Sequence, residues 1–137
     1  MKRLRIVLDT NVIISGILFG GIPRSILDTL ISGKHDFFLS MAIIEEIGEV
    51  LNRPKFGFDN GNALMVVEEL HSLCTIVKPV KSINFIIDDP DDNKILECAV
   101  AAKAEIIISG DSHLLSVGSY KGIKILSPRQ FISIANN

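Results

Sequence analysis

The stretch Leu4-Arg5-Ile6-Val7-Leu8-Asp9-Thr10-Asn11 decides the fold. Leu4 to Leu8 is a near-continuous apolar run, the pattern of a strand covered on both faces, and such strands belong to parallel sheets sandwiched between helices. Asp9-Thr10-Asn11 then turns the chain into a short helix that runs through Ile17 and closes at Gly20-Gly21. Outward from this unit, short β-rich runs keep alternating with helical periodicity. Pro23 suits the first position of a helix that runs to Ile31 and stops at Gly33. The second strand is expected at Phe37–Ser40, with helices at Ala42–Asn52 and Ala63–Leu73. A third, edge-like strand follows at Thr75–Val77. Pro90 opens a long helix to Lys103. The remaining strands are expected at Ile106–Ser109 and Ile123–Leu126, before a last helix capped by Ser127-Pro128.

Composition narrows the class. The chain has 137 residues, of which 47% are hydrophobic and 22% charged, with a formal charge of −2. That is enough apolar material for one core and the wrong balance for a disordered chain. No apolar run approaches the roughly 18 residues of a membrane span. Asp9 cuts the apolar stretch of the N-terminus short of the roughly 7–15 residues of a secretory signal core. Cys74 and Cys98 form no CxxC pair and have no nearby His, the pattern of reduced core thiols, and a cytoplasmic location is expected. The acidic balance excludes a protein that grips nucleic acid through a broad basic surface.

In such sheets ligands bind beyond the carboxyl ends of the strands. Asp9 ends the first strand and Ser109-Gly110-Asp111 the fourth. Helical geometry adds two more acids. In the helix around Ile43–Leu51, Ile43, Ile44, Ile47, Val50 and Leu51 form the apolar stripe, Glu45 and Glu49 fall on the solvated face, and Glu46 falls beside the stripe. In the next acidic helix the stripe is Ile95, Leu96, Ala99 and Val100. Lys94 and Glu97 point away from it, Asp91 lies towards its edge, and Asp92 lies almost at its centre. A dipole-capping role suits Asp88, Asp89 or Asp91 equally well, but leaves an acid at the inward position unexplained. Asp9, Glu46, Asp92 and Asp111 therefore converge, with no compensating Lys or Arg in their motifs. Mutual repulsion of four carboxylates is relieved by hard divalent cations, and an all-oxygen pocket suits Mg²⁺ or Mn²⁺. His35, His71 and His113 are scattered, without the spacing of a zinc site. GxGxxG, Walker A and GxSxG motifs are all missing.

At these residues the sequence resembles the PIN-domain family, and within it the VapC-like ribonucleases that serve as toxins of bacterial toxin–antitoxin systems. Leu8-Asp9-Thr10-Asn11 is similar to the opening block of the family. Ser40, Glu46 and Val50-Leu51-Asn52-Arg53-Pro54-Lys55-Phe56 resemble the second block, Asp89-Pro90-Asp91-Asp92-Asn93 with Ile95 and Ala99 the third, and Ile107-Ile108-Ser109-Gly110-Asp111 with Leu114-Leu115 the fourth. The resemblance implies a single PIN domain over residues 1–137. Its fold would be a three-layer α/β/α sandwich around a parallel sheet of about five strands in the order 3-2-1-4-5. It implies an endoribonuclease with one or two Mg²⁺ or Mn²⁺ ions, held by Asp9, Glu46, Asp92 and Asp111 as metal-binding catalytic acids. Asn11 and Ser109 take the accessory polar positions. Arg24, Arg53 and Lys55 are candidate contacts to RNA phosphates, with solvated surface charge as the alternative. An antitoxin protein is a partner that the resemblance allows, and the helix Ala63–Leu73, with Leu64, Val67, Leu70 and His71, serves either a second copy of the chain or burial within the monomer. The rivals are a haloacid-dehalogenase-like phosphatase, which wants an acid where Asn11 stands, and a receiver-like or partner-binding Mg²⁺ module, which wants a lysine near Ser127-Pro128. Setting the four acids aside turns the formal charge of −2 into +2. The acidic balance is thus concentrated in the pocket, and makes engagement of RNA conditional on metal.

Overall fold

The computed structural model describes residues 2–57, 60–85 and 90–135; Asp88 and Asp89 lie outside the described residues. The strands are β1 (Arg5–Leu8), β2 (Asp36–Ser40), β3 (Thr75–Val77), β4 (Ile106–Ile108), β5 (Ser119–Tyr120) and β6 (Ile123–Leu126). The helices are α1 (Thr10–Leu18), α2 (Gly21–Ile31), α3 (Met41–Leu51), α4 (Asn60–Leu73), α5 (Asn93–Ala102), α6 (Ser112–Val117) and α7 (Pro128–Ala135). They build one sheet of order β3-β2-β1-β4-β6-β5. Every pairing is parallel except β5 with β6.

The expected order of five parallel strands is present, with β6 as the fifth. The sequence reading missed β5 and α6. β5 is only two residues long and returns to β6 through Lys121 (φ 49°) and Gly122 (φ 82°). Two consecutive positive φ values are the geometry of the tight turn that matches strand twist, so a minimal antiparallel hairpin forms at the sheet edge. The helix expected from Pro90 to Lys103 also divides. Pro90–Asp92 is a 3₁₀ turn, and α5 proper begins at Asn93.

β1 is covered on both faces, as its sequence demands: Ile6, Val7 and Leu8 are all fully buried. α5 lies across β1, β2, β3 and β4, whereas α1, α2, α3 and α4 pack on one another and α7 closes against α2. Right-handed crossovers place helices between β1 and β3 on one face and α5, which returns the chain to β4, on the other. The core joins both layers through Ile13, Ile26, Ile44, Ile47, Leu96 and Phe131, all inaccessible to solvent. Cys98 belongs to this core, and burial pushes its thiol up to about 12; the half-buried Cys74 thiol is pushed up to about 11 for the same reason. Neither is in a disulfide. Among the described residues no single helix is long and apolar enough to cross a membrane.

Candidate metal centre

The first acid is placed by the end of β1. Asp9 donates its backbone N–H to the Ile108 carbonyl (2.9 Å), which continues the β1–β4 ladder by one residue. Its extended backbone makes it the N-cap of α1, with Oδ1 accepting from the Asn11 N–H at 3.4 Å. Its other oxygen, Oδ2, accepts from the Ser109 hydroxyl at 2.7 Å. Asp9 is only 4% exposed and Ser109 is fully enclosed, so this is a buried, charge-assisted hydrogen bond.

Ser109 passes the connection on. Its Oγ accepts from the Asp111 N–H at 2.9 Å, and Asp111 Oδ1 in turn accepts from the N–H groups of His113 (2.8 Å) and Leu114 (3.2 Å), capping α6. One hydroxyl thus couples the caps of two helices that follow neighbouring strands. Asp92, buried at the start of α5, lies beside Asp111, with a carboxyl oxygen of each within 4.8 Å of the other. Burial works to raise the Asp111 carboxyl. The contact with Asp92, the hydrogen bonds from the Leu114 and His113 amides and the charge of His113 outweigh it and hold Asp111 below its ordinary value. Glu46 on α3 goes the other way. Burial raises its carboxyl, Lys94 opposes, and the negative charges of Asp91, Asp9 and Glu49 reinforce the rise. All four acids singled out in the sequence are therefore electrostatically or directly connected.

The other expected residues are distributed differently. Asn11 borders a cavity of about 460 Å³ beside Asp111, walled by Ser15, Pro23, Gly110 and Pro128. Arg24 pairs with Asp28 one turn along α2 (3.3 Å) and lines an apolar groove with Ile13, Leu27 and Glu69. Arg53 and Lys55 are exposed around the turn after α3, with the Lys55 ammonium 5.0 Å from the Phe56 ring. Among the described residues, no ion pair joins any of the three to the four acids.

Two residues at the site escaped the sequence reading. Lys94 sits away from the apolar stripe, as expected, yet its Nζ lies 3.6 Å from Asp91 and its charge reaches Glu46. The acidic motifs therefore do contain one compensating cation, contrary to expectation. The signal was its position two residues after Asp92, where a long side chain can turn back over the first turn. His113 is the other: its Nδ1 lies 3.6 Å from Asp111 Oδ1, and one donor atom each of Asp92, Asp111 and His113 fall within 4.8 Å of one another. Its spacing from Asp111 (D-x-H at a helix start) was the available sign.

The sequence profile of the PIN domain matches residues 5–113, which include all four acids and His113. The chain belongs to the PIN-domain family. PIN domains are generally nucleases that use divalent metals. Among solved structures, the fold is similar to a chain in the crystal structure of VapBC2 from Rickettsia felis bound to a DNA fragment from their promoter, with TM-score 0.66 and 13% identity, covering 90% of this chain and 98% of that one. No curated protein sequence matches the chain. The donor set suits the metal that PIN nucleases use. Donors around one ion at about 2.1 Å stand roughly 3–4.2 Å apart, so a trio within 4.8 Å needs only small side-chain adjustments.

Proposed function

We propose that this PIN-domain protein is a metal-dependent endoribonuclease that hydrolyses RNA phosphodiester bonds, and that it is the toxin of a toxin–antitoxin pair. The observation that carries the reading is the chain of contacts from Asp9 through Ser109 to Asp111 and Asp92, an acidic cluster enclosed at the carboxyl end of β1 and β4. Asp9, Glu46, Asp92 and Asp111 would hold one or two Mg²⁺ or Mn²⁺ ions. Such an ion, when bound, activates water and stabilises charge on the phosphoryl oxygens.

The protein's own part is positioning. The Ser109 hydroxyl fixes the orientation of the Asp9 carboxylate, and the two α6 amides fix that of Asp111. Burial and the neighbouring acids raise the Glu46 carboxyl above its ordinary value, so it takes up a proton more readily than a free glutamate. Asn11 faces the cavity next to Asp111, where it can orient a substrate group. Lys94, whose charge reaches Glu46, is a cation for a backbone phosphate, and Arg53 and Lys55, exposed in the turn after α3, are candidates for others. Arg24, tied to Asp28, is the weakest of the phosphate contacts. RNA as substrate is supported by the resemblance of the four sequence blocks to toxin ribonucleases, and a protein partner by the fold shared with a chain of the VapBC2 complex. Exposed Phe19, Ile31, Leu64, Met65 and Leu73 offer a protein partner, the antitoxin or a second copy through α4, an apolar surface.

The test is RNA cleavage with Mg²⁺ or Mn²⁺, compared between the natural protein and Asp9→Asn. Cleavage should need the ion and disappear in the variant, whose thermal melt stays cooperative. Cleavage that persists in Asp9→Asn, or in excess EDTA, overturns the reading.

A further inference from the structure

We infer that His113 gives the metal centre a nitrogen donor, and that this donor makes the site discriminate against Mg²⁺ in favour of a first-row transition ion. The inference rests on the metal-dependent reading above and deepens it by assigning the class of ion.

Three observations carry it. The His113 ring is nearly half exposed, with 44% of the side chain accessible, yet its Nδ1 is screened from solvent and lies 3.6 Å from Asp111 Oδ1. That separation is too long for a hydrogen bond but falls inside the spacing of two donors that share one ion. The donor atoms of His113, Asp111 and Asp92 come within 4.8 Å of one another, although Asp92 comes from a separate element, the 3₁₀ turn before α5. The backbone of His113 is anchored as well, because its N–H is held by Asp111 Oδ1 at 2.8 Å. One carboxylate therefore fixes the residue that carries the imidazole and borders the space towards which Nδ1 points.

The other histidines do not compete for this role. His35 Nδ1 accepts from the Leu4 N–H at the opposite end of β1, and His71 lies exposed on α4. Four carboxylates alone would form an all-oxygen site suited to Mg²⁺. One imidazole changes the preference, because nitrogen donors favour Mn²⁺, Fe²⁺ and Co²⁺ in rising order and add little for Mg²⁺, which demands oxygen and sheds water reluctantly.

The experiment uses the full chain and Mn²⁺ alone as probe. Pulsed EPR of the Mn²⁺-loaded protein should show hyperfine coupling to a directly bound nitrogen, absent in His113→Gln. Calorimetric titrations should show the Mn²⁺/Mg²⁺ affinity ratio falling by about tenfold or more in His113→Gln, the lower end of what even outer-sphere substitutions cost. Mn²⁺ binding that Asp9→Asn removes but that carries no nitrogen coupling overturns the inference and leaves the metal-dependent reading standing. Coupling that survives in His113→Gln also overturns it. Failure of both Mn²⁺ and Mg²⁺ to bind the natural protein overturns the two together.

Discussion

The two ends of the central strands treat charge in opposite ways. At the amino end, each acid meets a base or a donor. Glu105 pairs with Lys2 (2.9 Å) and accepts from the Arg5 N–H (3.2 Å), and Asp36 pairs with Arg3 (2.9 Å). Arg5 turns its guanidinium onto the Ala102 carbonyl and over the Phe38 ring. Those hydrogen bonds, led by Lys2, hold Glu105 below its ordinary value. At the carboxyl end acids face acids, and the carboxyl of Glu46 is pushed upward by burial and by its neighbours. The same sheet thus ends in one rim whose acids are paired with bases and one where acids crowd one another with Lys94 and His113 beside them. Structural electrostatics are completed within the chain, whereas a ligand site leaves the completion to something else.

This contrast can be broken most severely at its centre. After the loss expected for Asp9→Asn, Ser109→Ala should cost about 10–100-fold in metal affinity and in RNA cleavage, because it releases both Asp9 Oδ2 and the Asp111 N–H while changing no donor to the ion. Titration of Mn²⁺ into the variant checks it, and an unchanged affinity would show that the hydroxyl positions nothing.

Next comes Glu46. A carboxyl whose folded pKa lies above its unfolded one contributes stability that is fully present below the unfolded pKa and lost as pH rises through the folded value. Glu46→Gln should therefore raise the melting temperature in EDTA at pH 7 by a few degrees and leave it unchanged near pH 4. In the natural protein, Mn²⁺ affinity should fall with acidification and begin to do so above the ordinary glutamate value of 4.5.

The amino rim supplies a smaller test. Charging His35 means protonating Nδ1, the atom that accepts from the Leu4 N–H at 3.0 Å, and burial first, then Arg3 and Lys34, lower its pKa from 6.5. The unfolded chain binds that proton more readily, so stability should fall as pH drops below about 6.5. His35→Asn, which keeps an acceptor in place, should flatten chemical-denaturation stability between pH 7 and pH 5. The smallest effect belongs to Lys2→Ala. The pair with Glu105 is exposed, and surface ion pairs contribute below about 1 kcal/mol. A loss larger than that would mean that the paired rim matters more than solvent screening allows.

Much of this was legible in the sequence because period and burial are local signals. Asp9 stood out as the first charge after a strand too apolar to face water. Asp92 stood out because it occupies the inward position of a helix whose stripe is Ile95, Leu96 and Ala99, and the structure buries it. What stayed hidden depends on side-chain reach or on elements below the length that periodicity resolves. Glu97 and Lys94 do point away from the stripe, but Glu97 accepts from the Ile83 N–H (2.9 Å) and Lys94 bends to Asp91. His113 meets Asp92 only because β4 brings α6 beside the start of α5, which no spacing in the sequence records. The two residues of β5 and the six of α6 offer too few positions for a pattern.

The hydrogen bond between Ser109 and Asp9 joins residues 100 positions apart. At about 5–20 residues per second of synthesis, Ser109 is added roughly 5–20 s after Asp9. Until then β1 lacks β4 as a neighbour, and the first half of the pocket has nothing to close against. The pocket is thus a late product of assembly: its two halves meet only once β4 has been added beside β1, so nothing made before Ser109 can hold the Asp9 carboxylate in its final orientation.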